Sequence, residues 1–98
     1  MIKYLKEENF EEEVKNGVVL VDFYADWCGP CKRMGEVLET MDDVNILKVN
    51  TDEFNELAIS FGIMSIPTLI LFKDGSEVGK LIGLQSKEDI ENFINQTN

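Results

Sequence analysis

Val18-Val19-Leu20-Val21-Asp22-Phe23-Tyr24-Ala25, followed at once by Asp26-Trp27-Cys28-Gly29-Pro30-Cys31, is the stretch on which the fold turns. Its first half is apolar on both strand faces, the pattern of a central strand covered from both sides. Asp22 breaks that pattern. Beyond the cysteines, Met34, Val37, Leu38 and Met41 recur at helical spacing. That stripe predicts an amphipathic helix starting at or near Cys28. Two cysteines at a strand-to-helix junction thus sit at the centre of the reading.

Upstream, residues 2–5 read as a short first strand. Asn9 and Glu12 have capping-box spacing, Phe10 and Val14 lie four apart, and Gly17 suits a helix end, so a short helix is expected over residues 10–16. Downstream, Asn45 to Asn50 reads as a strand. Phe54, Leu57, Ala58 and Phe61 repeat the helical spacing, and Gly62 closes that element. Residues 68–72 form a second apolar strand, Asp74-Gly75 a tight turn, and residues 77–82 an antiparallel return with poor alternation. Ser86, with Asp89 three residues on, caps a last helix carrying Ile90, Phe93 and Ile94. Strands alternating with helices in this order predict an α/β layer fold with a mainly parallel sheet and an antiparallel terminal hairpin.

Bulk properties narrow the function. The chain has 98 residues, 44% of them apolar and 29% charged, within the range of one globular domain. The net charge of −10 argues against nucleic acid and anionic membrane surfaces, both of which want Lys and Arg. No apolar run approaches the ~18 residues of a membrane span, and the N-terminus lacks the apolar core of a secretion signal. Two cysteines cannot build a multi-bridge scaffold, and the absence of histidine removes the commonest general base and metal ligand.

The chemistry therefore falls to the thiols. Spaced three apart in a helical turn, Cys28 and Cys31 lie on one face, within bonding reach. Cys28 would sit at the helix N-terminus, where unpaired N–H groups and the helix dipole favour a thiolate, the attacking form. Cys31, one turn in, would be more buried and placed to resolve a mixed disulfide. A bond closing so small a loop restricts the unfolded chain little, so it is a poor staple and a plausible exchangeable bond. Gly29 and Pro30 separate the sulfurs, and Pro30 suits a first helical turn. A structural zinc would need four ligands, twice what these cysteines offer. A pair of inert buried cysteines fits their spacing and flanks poorly.

Asp22, six residues before Cys28, is costly to bury ionised. It is expected beneath the cysteines, exchanging a proton with Cys31 directly or through water, with its pKa raised by burial. Lys48, in the next strand, is a candidate electrostatic partner or simply a surface lysine. Trp27 would form an apolar rim for docking partners.

These runs resemble the thioredoxin family: Val19-Leu20-Val21-Asp22-Phe23, Ala25-Asp26-Trp27-Cys28-Gly29-Pro30-Cys31-Lys32, Ser65-Ile66-Pro67-Thr68, the Lys73-Asp74-Gly75 turn and Gly83. The resemblance spans essentially the whole chain and implies one thioredoxin domain over residues 1–98, with a mixed five-stranded sheet flanked by four helices. It implies a redox-active Cys28–Cys31 disulfide, Cys28 as nucleophile and Cys31 as resolving thiol. Asp22 would be the buried acid/base, with Lys48 beside it. Pro67 would be a cis proline facing the disulfide, Ile66 would lend backbone hydrogen bonds to an extended substrate segment, and Trp27 and Gly83 would border the docking surface. No bound cofactor or metal is implied. Electrons would come from a thioredoxin reductase, an NADPH flavoprotein or a ferredoxin-linked enzyme. The protein would be a cytoplasmic monomer that reduces oxidised client proteins.

Some positions depart from the family pattern. Tyr24 stands where many members carry Trp, Glu36 where a helix-kinking proline is frequent, and Ser65 in place of a common glycine pattern. The span from Cys31 to Lys48 is also short. Gly29-Pro30 is the reducing type of intervening pair, whereas oxidase and isomerase relatives usually place His before the second cysteine. The competing readings are a non-catalytic interaction module or a dedicated subunit using the same docking surface.

Overall fold

The computed structural model describes residues 1–7 and 9–97. The elements are β1 (Ile2–Tyr4), α1 (Phe10–Val14), β2 (Val18–Tyr24), α2 (Gly29–Glu39), β3 (Asn45–Asn50), α3 (Asn55–Ser60), β4 (Thr68–Lys73), β5 (Ser76–Ile82) and α4 (Lys87–Thr97). They form one five-stranded sheet in the order β1-β3-β2-β4-β5, the fold class expected. Strand–helix alternation overstated the parallel share. β1–β3 and β2–β3 are parallel, but β2–β4 and β4–β5 are antiparallel. The reversal lies between β3 and β4. The connection over residues 51–67, which includes the six-residue α3, brings the chain back into the sheet at the end where β3 left it. Phe23, near the end of β2, pairs with Thr68 at the start of β4.

Side-chain alternation sorts the core into two layers. Val19, Val21 and Phe23 share one cluster with Phe10 and Val14 of α1 and Ala58 of α3. Leu20 shares the other with Met34 and Leu38 of α2 and Ile90 of α4. Asp22 has the same parity as Leu20, so it points beneath α2. Met41, the last member of the stripe that predicted α2, lies past the helix end at Glu39 but is still buried.

The helix-end signals hold at α3 and α4 and fail at α1. Ser86 accepts the Asp89 N–H at 3.1 Å, as a cap should. At the end of α3 the Gly62 N–H bonds Ile59 and the Ile63 N–H bonds Ala58, with Gly62 at φ +67, which is a Schellman closure. The expected capping box at Asn9 does not form. Asn9 caps no backbone N–H; its amide instead donates to Glu13 at 3.3 Å, and Glu12 pairs with Lys15 at 2.8 Å. α1 runs over Phe10–Val14 and stops short of residue 16. The poor alternation in β5 also has a cause. The β4–β5 register shifts between Leu71 and Phe72, whose partners are Gly79 and Glu77, so Val78 is the extra residue of a bulge.

Candidate active site

The ends of β2 and β3, the start of β4 and the exit of β5 meet at one end of the sheet. β2 stops at Tyr24, and Ala25 accepts the Cys28 N–H at 3.3 Å, which turns the chain into α2. Cys28 is the N-cap of that helix, with extended backbone, and its Sγ accepts the Cys31 N–H at 3.1 Å. Pro30 occupies the first turn, where a missing N–H costs nothing. Cys28 and Cys31 are disulfide-bonded, with Cα atoms 5.2 Å apart. Both are buried, Cys28 almost as fully as Cys31, so the contrast in burial expected from their positions is slight in this oxidised state.

The loop before β4 closes over the pair. The Ile66–Pro67 peptide is cis, and the Ile66 carbonyl oxygen lies 3.9 Å from the Cys28 Sγ. Thr68 holds this loop by donating its hydroxyl to Ser65 at 2.8 Å. Gly83, at φ +91, donates its N–H to the Pro67 carbonyl at 2.8 Å, so the exit of β5 is fastened to the same loop. Trp27 stands out at 70% exposure. Its indole N–H donates to Asp52 at 2.9 Å, and the Asp52 and Glu53 N–H groups bond the Asn50 side chain. Asp52 was not found by sequence reasoning, since nothing local links it to a residue 25 positions earlier.

Behind the disulfide, Asp22 is fully buried and registers against Lys48 across the parallel β2–β3 pair. The Lys48 ammonium is 3.5 Å from the carboxylate, with 11% of its side chain exposed. Neither carboxylate oxygen has a hydrogen-bond partner among the described residues. Burial pushes the Asp22 carboxyl up from 3.8 to about 6, and the Lys48 charge opposes this without cancelling it. The Lys48 that sequence left undecided is thus a partner rather than a surface lysine. A cleft beside α2 is lined by Cys31, Gly35, Lys48, Tyr4 and Tyr24, so solvent reaches the same corner as the second sulfur. Every residue singled out from sequence is therefore gathered at this end of the sheet, Trp27, Ile66, Pro67 and Gly83 around the sulfurs and Asp22 and Lys48 behind them.

Comparison with known proteins places this arrangement. The thioredoxin family model matches residues 1–96. A thioredoxin from Chlamydia pneumoniae is 46% identical over 100 aligned positions, covering 98% of both chains. One from Staphylococcus saprophyticus is 47% identical, over 90% of this chain and 89% of that one. Among solved structures, a mutant thioredoxin from Halobacterium salinarum superimposes with a TM-score of 0.87 at 37% identity, covering 98% of this chain and 89% of that one.

Proposed function

Because the chain belongs to the thioredoxin family and is a thiol–disulfide oxidoreductase of the protein-disulfide reductase type, we propose a division of labour among its residues. Cys28, at the helix N-terminus, is the nucleophile. Its thiolate attacks a client disulfide, forming a mixed disulfide and releasing one client thiolate. Cys31 gives its proton to Asp22 and attacks the Cys28 sulfur. That forms the Cys28–Cys31 bond and releases the second client thiolate. Two electrons pass from the dithiol to the client, and the two thiol protons follow to the client thiolates by way of Asp22 and solvent. Asp22 suits this step because a carboxyl titrating near 6 is close to the working range of a general base. The observation that carries the reading is the fully buried Asp22, without a hydrogen-bond partner among the described residues, on the strand that feeds the disulfide.

Trp27, Ile66, Pro67 and Gly83 form the docking rim, where an extended client segment adds backbone hydrogen bonds beside the sulfurs. Members of this family work between a reductase and client proteins. For this chain we place the electron source in a thioredoxin reductase, either an NADPH flavoprotein or a ferredoxin-linked enzyme. We also read the protein as a cytoplasmic monomer of one domain. No described helix is long and apolar enough to cross a membrane. The surface acidity disfavours nucleic acid.

The test is trapping. In Cys31→Ser, client proteins should accumulate as mixed disulfides through Cys28, while Cys28→Ser yields none. Adducts on Cys31 instead would reverse the assignment. Absence of adducts, with a wild-type chain inactive on disulfide substrates, would favour a non-catalytic module.

A further inference from the structure

The cleft beside α2 holds a feature that disulfide exchange as described does not use. The Lys48 ammonium lies 4.6 Å from the centroid of the Tyr24 ring and 5.7 Å from that of Tyr4. The two rings meet nearly at right angles, with centroids 6.2 Å apart, like two walls of a corner. Above them, a Cβ on Gly35 of α2 would stand 3.3 Å from the same nitrogen, so the helix makes room there by lacking a side chain. From these contacts we infer that Tyr4 and Tyr24 form an aromatic seat that holds the Lys48 ammonium beside Asp22. Tyr4, half-exposed on the edge strand, is then a positioning residue for the proton step at Cys31. The inference deepens the role given to Asp22 and rests on it.

The seat has work to do because the cleft is acidic. Asp26, in the turn after β2, and Glu36 and Glu39, from α2, line it, with Lys32 as the other cation. Lysine carries its charge on a flexible four-carbon stem, and these outer carboxylates draw it toward solvent. On the inner side the Asp22 carboxylate lies at 3.5 Å. Ring faces attract a cation within about 6 Å of the centroid, and the attraction strengthens where water is scarce. With the rings in place the ammonium stays inward and favours the ionised carboxylate. Without them it swings out, and Asp22 holds its proton to higher pH.

The experiment is a carbon-13 NMR titration of the Asp22 carboxyl in the oxidised protein. Lys48→Met sets the full effect of losing the charge, an upward shift of the midpoint. Tyr4→Leu should give part of that shift, about half a pH unit, the size expected of one ring–cation contact at a partly exposed site. Tyr4→Phe keeps the ring face and should restore the wild-type midpoint. Tyr4→Leu added to Lys48→Met should shift nothing further. An unmoved midpoint in Tyr4→Leu overturns the proposal, as does an equal shift with Lys48 already removed. Should Tyr4→Leu fail to fold, Tyr24→Leu carries the same expectations. Exchange rates measured alongside separate the two ideas: an Asp22→Asn protein that exchanges thiols normally refutes the role of Asp22, while the titration alone judges the seat.

Discussion

On one face of β2, Val19, Val21 and Phe23 join an apolar layer with α1 and α3. On the other face, Leu20 meets Met34 and Leu38 of α2, and then the row is broken by Asp22, with Lys48 beside it. The first face is closed by aromatic edges. Phe10, Phe61 and Phe72 lie 5.3 to 5.6 Å apart, and Phe23 reaches Phe61 at 6.0 Å. The second carries a charge pair in a place that apolar side chains would fill more stably. One side of the strand thus serves the fold alone, while the alternate side serves the fold at Leu20 and the chemistry at Asp22. Mutations at Phe23 and at Asp22 should therefore separate.

The largest contrast lies at the disulfide. Cys28→Ser should lower turnover on a protein disulfide by at least about a thousandfold, read in a coupled reduction assay. Next comes the closed face. Phe23→Ala should cost about 3–5 kcal/mol in urea unfolding, by removing a fully buried ring from the aromatic layer. A cost below ~1 kcal/mol would break the claim that this face carries the stability.

On the open face the sign reverses. Asp22 binds its proton more tightly in the fold, near 6, than in the unfolded chain, near 3.8. Its neutral form therefore supports stability below about pH 4, and that support is lost as pH rises through about 6. Asp22→Asn cannot ionise. It should match the wild type at pH 3 and exceed it by about 3 kcal/mol at pH 8, a shift of roughly two pH units in free energy, while thiol exchange slows. A variant less stable at pH 8 would show that Lys48 more than offsets the burial. The smallest effect belongs to the rim. Trp27→Ala should change unfolding free energy by within about 0.5 kcal/mol, yet weaken client capture in the Cys31→Ser trap. Equal capture would remove Trp27 from the docking surface.

The sequence showed the closed face and the sulfurs clearly, because both are written locally. Buried strands appear as apolar runs, α2 as a stripe, and the site as two cysteines at a helix start. Asp22 was visible for the same reason, as one acid in an apolar strand. What escaped were contacts between elements far apart in sequence. Asp52 beneath Trp27, and Tyr4 and Gly35 around Lys48, belong to no periodic pattern. The β4 reversal escaped because alternation of elements does not fix direction, and the β5 bulge because most of that strand is exposed. The capping-box spacing at Asn9 misled, since Asn9 spends its side chain on Glu13.

The bulge in β5 has a consequence for the company this protein keeps. Sheet edges offer unpaired N–H and C=O groups to any extended chain, and long flat ones seed aggregates. Here one edge, β1, is three residues long, and the other is kinked at Val78, with Glu77 and Lys80 along it. A protein whose substrates are other polypeptides thus presents poor templates at both margins of its own sheet. Extended segments can be received at the sulfurs and let go, and they find no ladder on which to accumulate.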